Sequence, residues 1–536
     1  MHRLDLFCWI VFFFWYLLRF RYGFSCTDSS IRSRLSSNDD DVPPVRCLLN
    51  QPRPSLPTRT NQAALSLSVM ASAAADYSDE PLTPAGRLFV QPQMNQIIHC
   101  AVGFKNPINI DSIKSHLKTS LLLSHPRFSS LMVRDSQGLE HWRKIPHVDL
   151  DRHVIVVPNP ITTASHFDHD TAVNDYLADL SISSGLSAEK PMWEVHLLMA
   201  HNCAIFRIHH ALGDGVSLMS LFLASCRGAE DEEKMPTLAS GKRNRVNGEK
   251  GWWALLIGFV GMLWFSLIFV VEFMLRCLWV RDRKTEISGG DGVELWPRKL
   301  ATARFRLQDM KLVKKAVPNA TINDVLFGVI SSGLSRYLDH RTTNALPEGL
   351  QITGLAMVNL REQPGLQELS DLMKSSSGSS WGNKFGMLLL PIYYHKRSGT
   401  DPLAYLKIAK VMIDRKKQSL EAYFSYKIGY FVMTYLGAKL AAWLNYRIVC
   451  NTSFTISNIL GPQEEIILGG NPITYLRVNS SSLPHALTMH MISYAERADM
   501  QILVAKDIIP DPAFLAKCFE EALLDMKEAA AAINRT

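Results

Sequence analysis

Hydrophobic and polar positions alternate between strand and helix patterns from about residue 77 onward. Apolar runs rich in β-branched residues and bounded by Gly or Pro predict strands at residues 97–104, 153–160, 190–198, 203–210, 352–361 and 454–462, and a hairpin at 489–507. Apolar residues at helical spacing predict helices at residues 110–123, 320–338, 402–420, 425–444 and 512–533. Strands and helices alternate in residues 77–227 and again in residues 297–534. This order predicts an α/β fold of two halves with mixed sheets.

One stretch, residues 203–226, combines a strand, a tight Gly-rich turn and a helix. Because side chains alternate across a strand, His210 shares a face with apolar residues, whereas His209 points to the same side as Arg207. A histidine at the end of an apolar strand face, followed by a turn, is a candidate general base. A core histidine bonded to a backbone carbonyl would produce the same pattern.

A long apolar segment lies between the two halves. Residues 252–271 are twenty consecutive residues without a charge, which meets the length criterion for a membrane span. Trp252, Trp253 and Trp279 lie near its ends, as interfacial aromatic residues do. We therefore predict a membrane segment at residues 252–280, with a buried core helix as the alternative. Basic residues flank both ends, so the sequence indicates no orientation.

Two further regions lie outside the predicted halves. Residues 1–69 contain a short aromatic-rich apolar run and then a polar stretch rich in Ser, Arg and Pro. We interpret them as a disordered or targeting N-terminal extension. Residues 228–251 are rich in charge and are predicted to be a linker that leads to the membrane segment.

Composition narrows the class of protein. The chain has 536 residues, of which 47% are hydrophobic and 20% charged, so it is long enough for two domains and is not disordered overall. The net charge of +7 is not gathered into an arm that would bind nucleic acid. The nine cysteines are scattered and form no CxxC pair, which fits a reducing compartment. Their spacing is not that of a zinc finger.

His209, His210, Asp214 and Gly215 form the pattern HHxxxDG. It resembles the active-site motif of the wax ester synthase/diacylglycerol acyltransferase family, in the CoA-dependent acyltransferase superfamily. Further short stretches resemble that family in the same order along the chain. They are PLTPAGRLF at 81–89, PMW at 191–193, ND at 323–324, VNLR at 358–361, GNKFG at 382–386, SN at 457–458 and GP at 461–462. The resemblance implies two pseudo-symmetric chloramphenicol-acetyltransferase-like halves, to which the apolar segment adds a membrane-anchoring helix.

The resemblance also implies the reaction, which is transfer of a fatty acyl group from acyl-CoA to a long-chain alcohol, a diacylglycerol or both. A thioester carries a good leaving group, so no enzyme nucleophile is needed and the acceptor hydroxyl must only lose its proton as it attacks. We expect His210 to be this general base and then to protonate the departing CoA thiolate. No cofactor or metal is expected, because acyl-CoA is a substrate.

The other motif residues are expected to support His210. In the superfamily the comparable aspartate resembles a structural group paired with an arginine, so we prefer that role for Asp214 and take Arg361 as its candidate partner. The alternative is that Asp214 orients His210, as in a catalytic triad. Gly215 is expected to allow a tight turn. His209 is expected to support the loop or substrate entry.

Five further polar residues are candidates for substrate binding or for structure. Each of them lies at a predicted helix start, strand end or loop, where polar groups are common for structural reasons. Their functional alternatives are positioning of the acceptor, hydrogen bonding across the two halves, or donation to the oxyanion. The residues are Asn323, Asn359, Asn383, Ser457 and Asn458.

The apolar segment also constrains the topology. A single span would separate His210 from the second half, so we expect a monotopic anchor, which the Glu272 and Arg276 pair suits. Both halves would then face the cytosol at the endoplasmic reticulum or plasma membrane. The expected partners are acyl-CoA, a fatty alcohol, diacylglycerol and the membrane, and not nucleic acid.

Three other interpretations remain open. The first is a metal site formed by His209, His210 and Asp214, although adjacent histidines on a strand point apart. The second is a non-catalytic lipid-binding protein with the same fold. The third is a soluble-type acyltransferase that acts on specialised alcohols or amines.

Overall fold

The computed structural model describes residues 79–161, 168–183, 185–230, 236, 252–342, 346–361, 381–396 and 401–533. The predicted extension at residues 1–69 and most of the predicted linker at residues 228–251 lie outside the described residues. Residues 76–536 belong to one compact unit.

Two large β-sheets organise this unit. In chain order the described strands are β1 (Glu80–Pro81), β2 (Ile97–Phe104), β3 (Ser130–Arg134), β4 (Glu140–Lys144), β5 (Val154–Val157), β6 (Trp193–Leu198), β7 (Cys203–His209), β8 (Arg227–Gly228), β9 (Arg298–Arg306), β10 (Gln351–Asn359), β11 (Phe385–Tyr393), β12 (Phe454–Ile459), β13 (Ile466–Leu468), β14 (Asn471–Ser480), β15 (Leu487–Tyr494) and β16 (Arg497–Ala505). The first large sheet has the order β5-β6-β7-β2-β14-β13-β8, and the second has the order β11-β10-β12-β15-β16-β9. Strands β1, β4 and β3 form a separate three-stranded sheet in the order β1-β4-β3.

Both large sheets mix parallel and antiparallel pairs. In the first sheet β5 and β6 are parallel and the other pairs are antiparallel. In the second sheet β12 is parallel to β10 and to β15, and the other pairs are antiparallel. The predicted α/β fold with mixed sheets is therefore confirmed.

The two predicted halves share the first sheet. Strands β13 and β14 belong to residues 466–480, in the predicted second half, yet β14 pairs with β2 and β13 pairs with β8. Residues 77–227 therefore do not complete their own sheet. Strand periodicity carries no information about which strand will be the neighbour, so the sequence pattern did not predict this exchange.

Twelve α-helices are present in the described residues. They are α1 (Pro84–Phe89), α2 (Ile110–Thr119), α3 (Leu121–Ser124), α4 (His169–Ile182), α5 (Gly215–Ala224), α6 (Trp252–Leu278), α7 (Leu307–Lys315), α8 (Ile322–Arg341), α9 (Pro402–Gln418), α10 (Glu421–Phe431), α11 (Ala438–Cys450) and α12 (Pro512–Ile533). Helix α8 begins as its sequence predicts, because Thr321 caps it and Asp324 returns a hydrogen bond to the cap. The predicted helix at residues 425–444 is instead two helices, α10 and α11, separated by a π-helical turn and by Gly437, whose φ is +91°.

Each face of the second sheet has a different partner. Met489 and Met491 of β15 belong to the core formed with helices α8, α9 and α12. Ile492 and Tyr494 of the same strand belong to the core of the first sheet. Because neighbouring side chains on a strand point to opposite faces, the even-numbered residues of β15 face the first sheet. The space between the two sheets is where β7 ends and His210 lies.

The predicted membrane segment is helix α6, 27 residues long, or about 40 Å. It includes the single stretch, Leu255–Leu278, that is long and apolar enough to cross a membrane among the described residues, and only 6% of its most apolar window is buried. This exposure contradicts the alternative of a core helix buried within the chain. The C-terminal end packs against α9, α10 and α11, where Asn451 Nδ2 donates to the Arg276 carbonyl at 2.6 Å.

Candidate active site

His210 follows directly after β7, and the second half of the chain holds its side chain. The backbone N–H of His210 donates to the carbonyl of Gln96 at 2.8 Å. Asn383, which precedes β11, donates from Nδ2 to the His210 carbonyl at 2.8 Å, and its Oδ1 lies 3.0 Å from His210 Nδ1. The amide oxygen can only accept, so this hydrogen bond assigns the proton to Nδ1. The lone pair is then on Nε2, the nitrogen that a general base uses.

The surroundings of the His210 ring keep it uncharged. Phe89 of α1 stacks on the ring with centroids 4.0 Å apart, and Phe385 of β11 approaches it edge-on at 6.2 Å. Burial lowers the pKa of His210 from its ordinary value of 6.5, although a hydrogen bond with the backbone, the charge of Asp214 and the hydrogen bond of Asn383 oppose this shift. The neutral ring is therefore the dominant form at neutral pH.

His209 lies on the other side of the strand and its ring is fully engaged. Its Nε2 donates to Asn95 Oδ1 at 2.8 Å, and its Nδ1 accepts from the Ala211 N–H at 3.1 Å. Burial lowers the pKa of His209 to about 3. Both ring nitrogens of His209 are thus used within this part of the fold, and its support of the loop or of substrate entry stays a prediction. The two rings point apart, and no three His, Cys, Asp or Glu side chains within the described ranges are placed to hold a metal ion.

Asp214 braces the turn instead of orienting His210. It is the N-cap of α5, where Oδ1 accepts the Ser217 N–H at 3.0 Å. Its Oδ2 accepts from Arg361 at 2.8 Å and from the Lys384 N–H at 3.0 Å. The predicted ion pair with Arg361 is therefore present. Oδ1 is thus used by the N-terminus of α5 and Oδ2 by residues of the second half, and no hydrogen bond joins the carboxylate to the His210 ring.

Arg361 connects the turn to two further groups. It donates to Ser217 Oγ at 3.0 Å and to the Gly382 carbonyl at 2.6 Å. Asn359 Oδ1 accepts the Arg361 N–H at 3.0 Å and a guanidinium N–H at 3.2 Å. Asn359 and Asn383 thus take part in bonding across the two halves, through Arg361 and through His210 respectively.

Gly215 lies close to Ile459 of β12. It is the first residue of α5, and its φ does not lie in the left-handed region. A Cβ built on it would lie 2.9 Å from Ile459 Cδ1, closer than carbon atoms can pack. This atom is the terminal methyl group of a flexible side chain, so a small shift of Ile459 would relieve the contact, and the role of Gly215 in the turn stays a prediction.

Three other candidates lie on the second sheet. Asn458 Nδ2 donates to Asn323 Oδ1 at 2.7 Å, which joins β12 to the first turn of α8. This bond lies on the helix-covered face of β12. Asn458 is two residues from the core residue Ile456, so the two side chains share that face. Ser457 faces the first sheet and pairs in register with His490 of β15. A contact of Ser457 with the oxyanion stays a prediction.

Two residues near His210 were not among the candidates. Phe89 lies within PLTPAGRLF, but only the fold reveals that its ring stacks on His210. His490 is held uncharged, since burial and then the charge of His210 lower its pKa to about 4. A histidine in the largely apolar strand β15 was the available signal for His490.

Family models match both parts of the chain that meet at this site. The family model described as the wax ester synthase/diacylglycerol acyltransferase catalytic domain matches residues 117–289, which include His209 through Gly215, and the WS/DGAT C-terminal domain model matches residues 381–527, which include Asn383. Wax ester synthase/diacylglycerol acyltransferase 11 of Arabidopsis thaliana is 36% identical over 476 residues, which cover 84% of this chain and 95% of that protein.

The chain belongs to the wax ester synthase/diacylglycerol acyltransferase family. This is a family of O-acyltransferases, so the chain is classed as an enzyme. The resemblance noted in HHxxxDG and in the ordered short stretches is thereby confirmed.

Solved structures agree on the fold. The wax ester synthase/diacylglycerol acyltransferase of Marinobacter aquaeolei VT8 superposes with a TM-score of 0.53 at 17% identity and covers 84% of this chain and 100% of that one. The TRI3 trichothecene 15-O-acetyltransferase of Fusarium sporotrichioides superposes with a TM-score of 0.54 at 13% identity, covering 84% of this chain and 95% of that one. The family therefore shares its two-lobed fold with more distant acyltransferases.

Proposed function

We propose that this chain transfers a fatty acyl group from acyl-CoA to a long-chain alcohol, a diacylglycerol or both, with His210 as general base. The observation that carries the proposal is the bond between His210 Nδ1–H and Asn383, which leaves the Nε2 lone pair available. Family membership supports the reaction class, because the relatives are named wax ester synthase/diacylglycerol acyltransferase.

The chemistry then needs only one titrating side chain. Nε2 of His210 takes the proton of the acceptor hydroxyl as its oxygen attacks the thioester carbonyl. The C–O bond forms, the C–S bond breaks, and the proton on Nε2 passes to the departing CoA sulfur. Asn383 holds the ring in one tautomer throughout, and stacking on Phe89 fixes its plane.

We further propose that α6 is a monotopic anchor at the cytosolic face of the endoplasmic reticulum or plasma membrane. Its exposed apolar residues include Trp253, Ile257 and Trp264, each at least 60% exposed. The C-terminal end of α6 packs against α10 and α11, which also contact α1, the helix that carries Phe89. A membrane along α6 would therefore bring lipid acceptors close to the His210 side of the fold.

A charge on α6 is expected to weaken membrane binding. Leu263 is 46% exposed on α6, and an arginine there costs about 3 kcal/mol in the membrane interior. Leu263→Arg should therefore shift much of the protein from the membrane pellet to the supernatant, or lower its flotation with liposomes. Leu524→Arg is the matched control, because Leu524 is 49% exposed on α12. Equal loss of membrane binding in both variants would contradict the anchor.

Protease protection tests the monotopic arrangement itself. Lys284 follows α6, and residue 250 precedes it in the sequence. We expect protease to reach both sides of the helix from the cytosolic face of sealed microsomes. Protection of only one side would show a span and would contradict the proposal.

The pH profile reports the His210–Asn383 contact. Because the pKa of His210 is lowered from 6.5 and the base works unprotonated, kcat/KM should stay level near pH 7 and fall only below pH 6.5. Asn383→Asp places a carboxylate beside Nδ1, so it should raise that pKa by about one unit or more and move the acid limb upward. Asn95→Asp makes the same change beside His209 and should leave the limb in place. A limb that moved only in Asn95→Asp would assign the titration to His209.

Product analysis tests the proposed function directly. The chain would be expressed in a host that lacks neutral lipid, and its membranes supplied with palmitoyl-CoA and either hexadecanol or diacylglycerol. Thin-layer separation should reveal wax ester, triacylglycerol or both. Membranes that form neither ester, although they contain folded protein, would refute the proposal.

A further inference from the structure

A four-residue segment of the second half, residues 381–384, holds the turn that follows His210. Each of its residues forms a hydrogen bond with a residue between positions 210 and 217. The bonds join Trp381 to Leu212, Gly382 to Ser217, Asn383 to His210 and Lys384 to Asp214. We call residues 381–384 the clamp. Its first member, Trp381, lies one position before the stretch GNKFG and is not among the candidate residues.

The indole of Trp381 contacts the backbone of the turn itself. Its Nε1–H donates to the carbonyl of Leu212 at 2.8 Å, and Leu212 lies two positions from His210 and two from Asp214. A Cβ built on Gly213 would lie 3.2 Å from Trp381 Cζ2, which is tighter than an ordinary contact. The indole therefore touches the turn through one hydrogen bond and through close packing.

The first half of the chain holds the indole in place. Trp381 is 7% exposed and belongs to the core of the first sheet, although β11, which begins four residues later, belongs to the second sheet. The His125 ring lies against the indole with centroids 3.9 Å apart, and Phe128 meets it edge-on at 6.3 Å. A ring packed this closely has few alternative positions. Its N–H group is therefore aimed at the turn by the surrounding side chains.

The contact of Trp381 differs from the other contacts of the proposed base. Asn383 bonds His210 itself, and Phe89 stacks on the His210 ring. Trp381 instead bonds the chain two residues further on, between the proposed base and the N-cap of α5. A general base must lie within hydrogen-bond distance of the proton that it takes. A misplacement of about 1 Å can cost about 100-fold in rate, so the position of this backbone matters for the reaction.

We propose that Trp381 is a positioning residue, whose indole fixes the backbone of residues 211–213 and so holds Nε2 of His210 where it deprotonates the acceptor hydroxyl. The inference rests on the proposed function, because it requires His210 to be the base. It gives Trp381 no contact with the substrates. Loss of the indole N–H should therefore lower kcat and leave the binding of acyl-CoA unchanged.

Two matched substitutions test this role. Trp381→Phe removes the indole N–H and leaves an aromatic ring in the core, and Trp193→Phe is the control. Trp193 is 1% exposed, its Nε1–H donates to the Phe128 carbonyl at 2.9 Å, and His153 stacks on its ring with centroids 4.0 Å apart. Both substitutions take one indole N–H from a buried backbone carbonyl, but only the carbonyl of Leu212 belongs to the active-site turn. The measured quantities are thermal stability and, per folded protein, kcat and KM.

We expect both variants to lose thermal stability to a similar extent, because each leaves a backbone carbonyl without its donor. Trp381→Phe should in addition lower kcat about 10-fold or more with little change in KM for acyl-CoA, whereas Trp193→Phe should keep the kcat of the wild type. The acid limb of the pH profile should stay in place in both, since Asn383 still bonds His210. An equal effect of the two substitutions on kcat, whether large or absent, would overturn the inference.

Gly213→Ala changes the same contact from the side of the turn. The φ of Gly213 does not lie in the left-handed region, so alanine fits the backbone, and its Cβ would press on the indole. We expect kcat to fall in Gly213→Ala, and the additional fall to be smaller in the Trp381→Phe background, where the smaller ring leaves room. Effects of the two substitutions that simply multiply would show that the ring and the turn are not coupled, and the inference would fail.

His210→Ala separates a failure of this inference from a failure of the proposed function. If His210→Ala kept the activity of the wild type, His210 would not be the base, and the proposed function and the role of Trp381 would both fail. If His210→Ala lost activity while Trp381→Phe kept the kcat of the wild type, only the role of Trp381 would fail.

Discussion

His210→Ala is expected to lower kcat by about 10²–10⁴-fold with either acceptor, the range that a positioned general base contributes. The acceptor hydroxyl would then have to lose its proton to water, while the thioester stays in place. KM for acyl-CoA should change little, because the substitution removes only the His210 ring. The residues that contact this ring, Asn383 and Phe89, are left unchanged. Initial rates with labelled palmitoyl-CoA, normalised to folded protein, measure the effect.

His209→Gln separates the two adjacent histidines. His209 uses both ring nitrogens in contacts with Asn95 and Ala211, so its replacement should lower thermal stability and reduce kcat by less than 10-fold, a smaller effect than the loss of a general base. A variant of His209 that kept native stability and lost as much activity as His210→Ala would contradict the assignment of the base.

Much of the candidate site could be predicted from the sequence, for a physical reason. The proposed base, the capping aspartate and helix α5 lie within one short stretch, so strand alternation and turn composition describe them together. Alternation separated His210 from His209, and the structure keeps the two rings apart. Helix α6 was equally accessible, because an uncharged apolar run of that length is rare outside membrane helices and buried core helices.

The parts that pattern analysis missed depend on contacts between distant residues. Asn383, which fixes the tautomer of His210, is separated from it by 173 positions. The place of β14 beside β2 and the approach of His490 to His210 also come from strand order, which periodicity does not encode. Asn383 appeared among the candidates only through resemblance, and nothing in its local sequence assigned it to the ring of His210.

Asp214→Ala is expected to lower the free energy of unfolding by about 3–5 kcal/mol. Its carboxylate pairs with Arg361, and the two side chains are only 8% and 3% exposed. Removing Asp214 takes this negative charge away from the buried Arg361 guanidinium, and α5 also loses its N-cap, which contributes about 1 kcal/mol. Denaturant unfolding followed by intrinsic fluorescence measures the loss. Arg143→Ala, which removes a pair with Asp79 whose arginine is 57% exposed, should cost at most about 1 kcal/mol.

The double variant Asp214→Ala/Arg361→Met distinguishes a structural brace from a catalytic role. The double variant no longer buries a guanidinium that has lost the Asp214 carboxylate, so it should be more stable than Asp214→Ala alone. Activity should recover with stability, because Asp214 bonds the turn and not the His210 ring. If the double variant regained stability but kept kcat as low as His210→Ala does, Asp214 would have to act on the base itself. A loss of stability in Asp214→Ala no larger than in Arg143→Ala would show that the ion pair does not hold the turn.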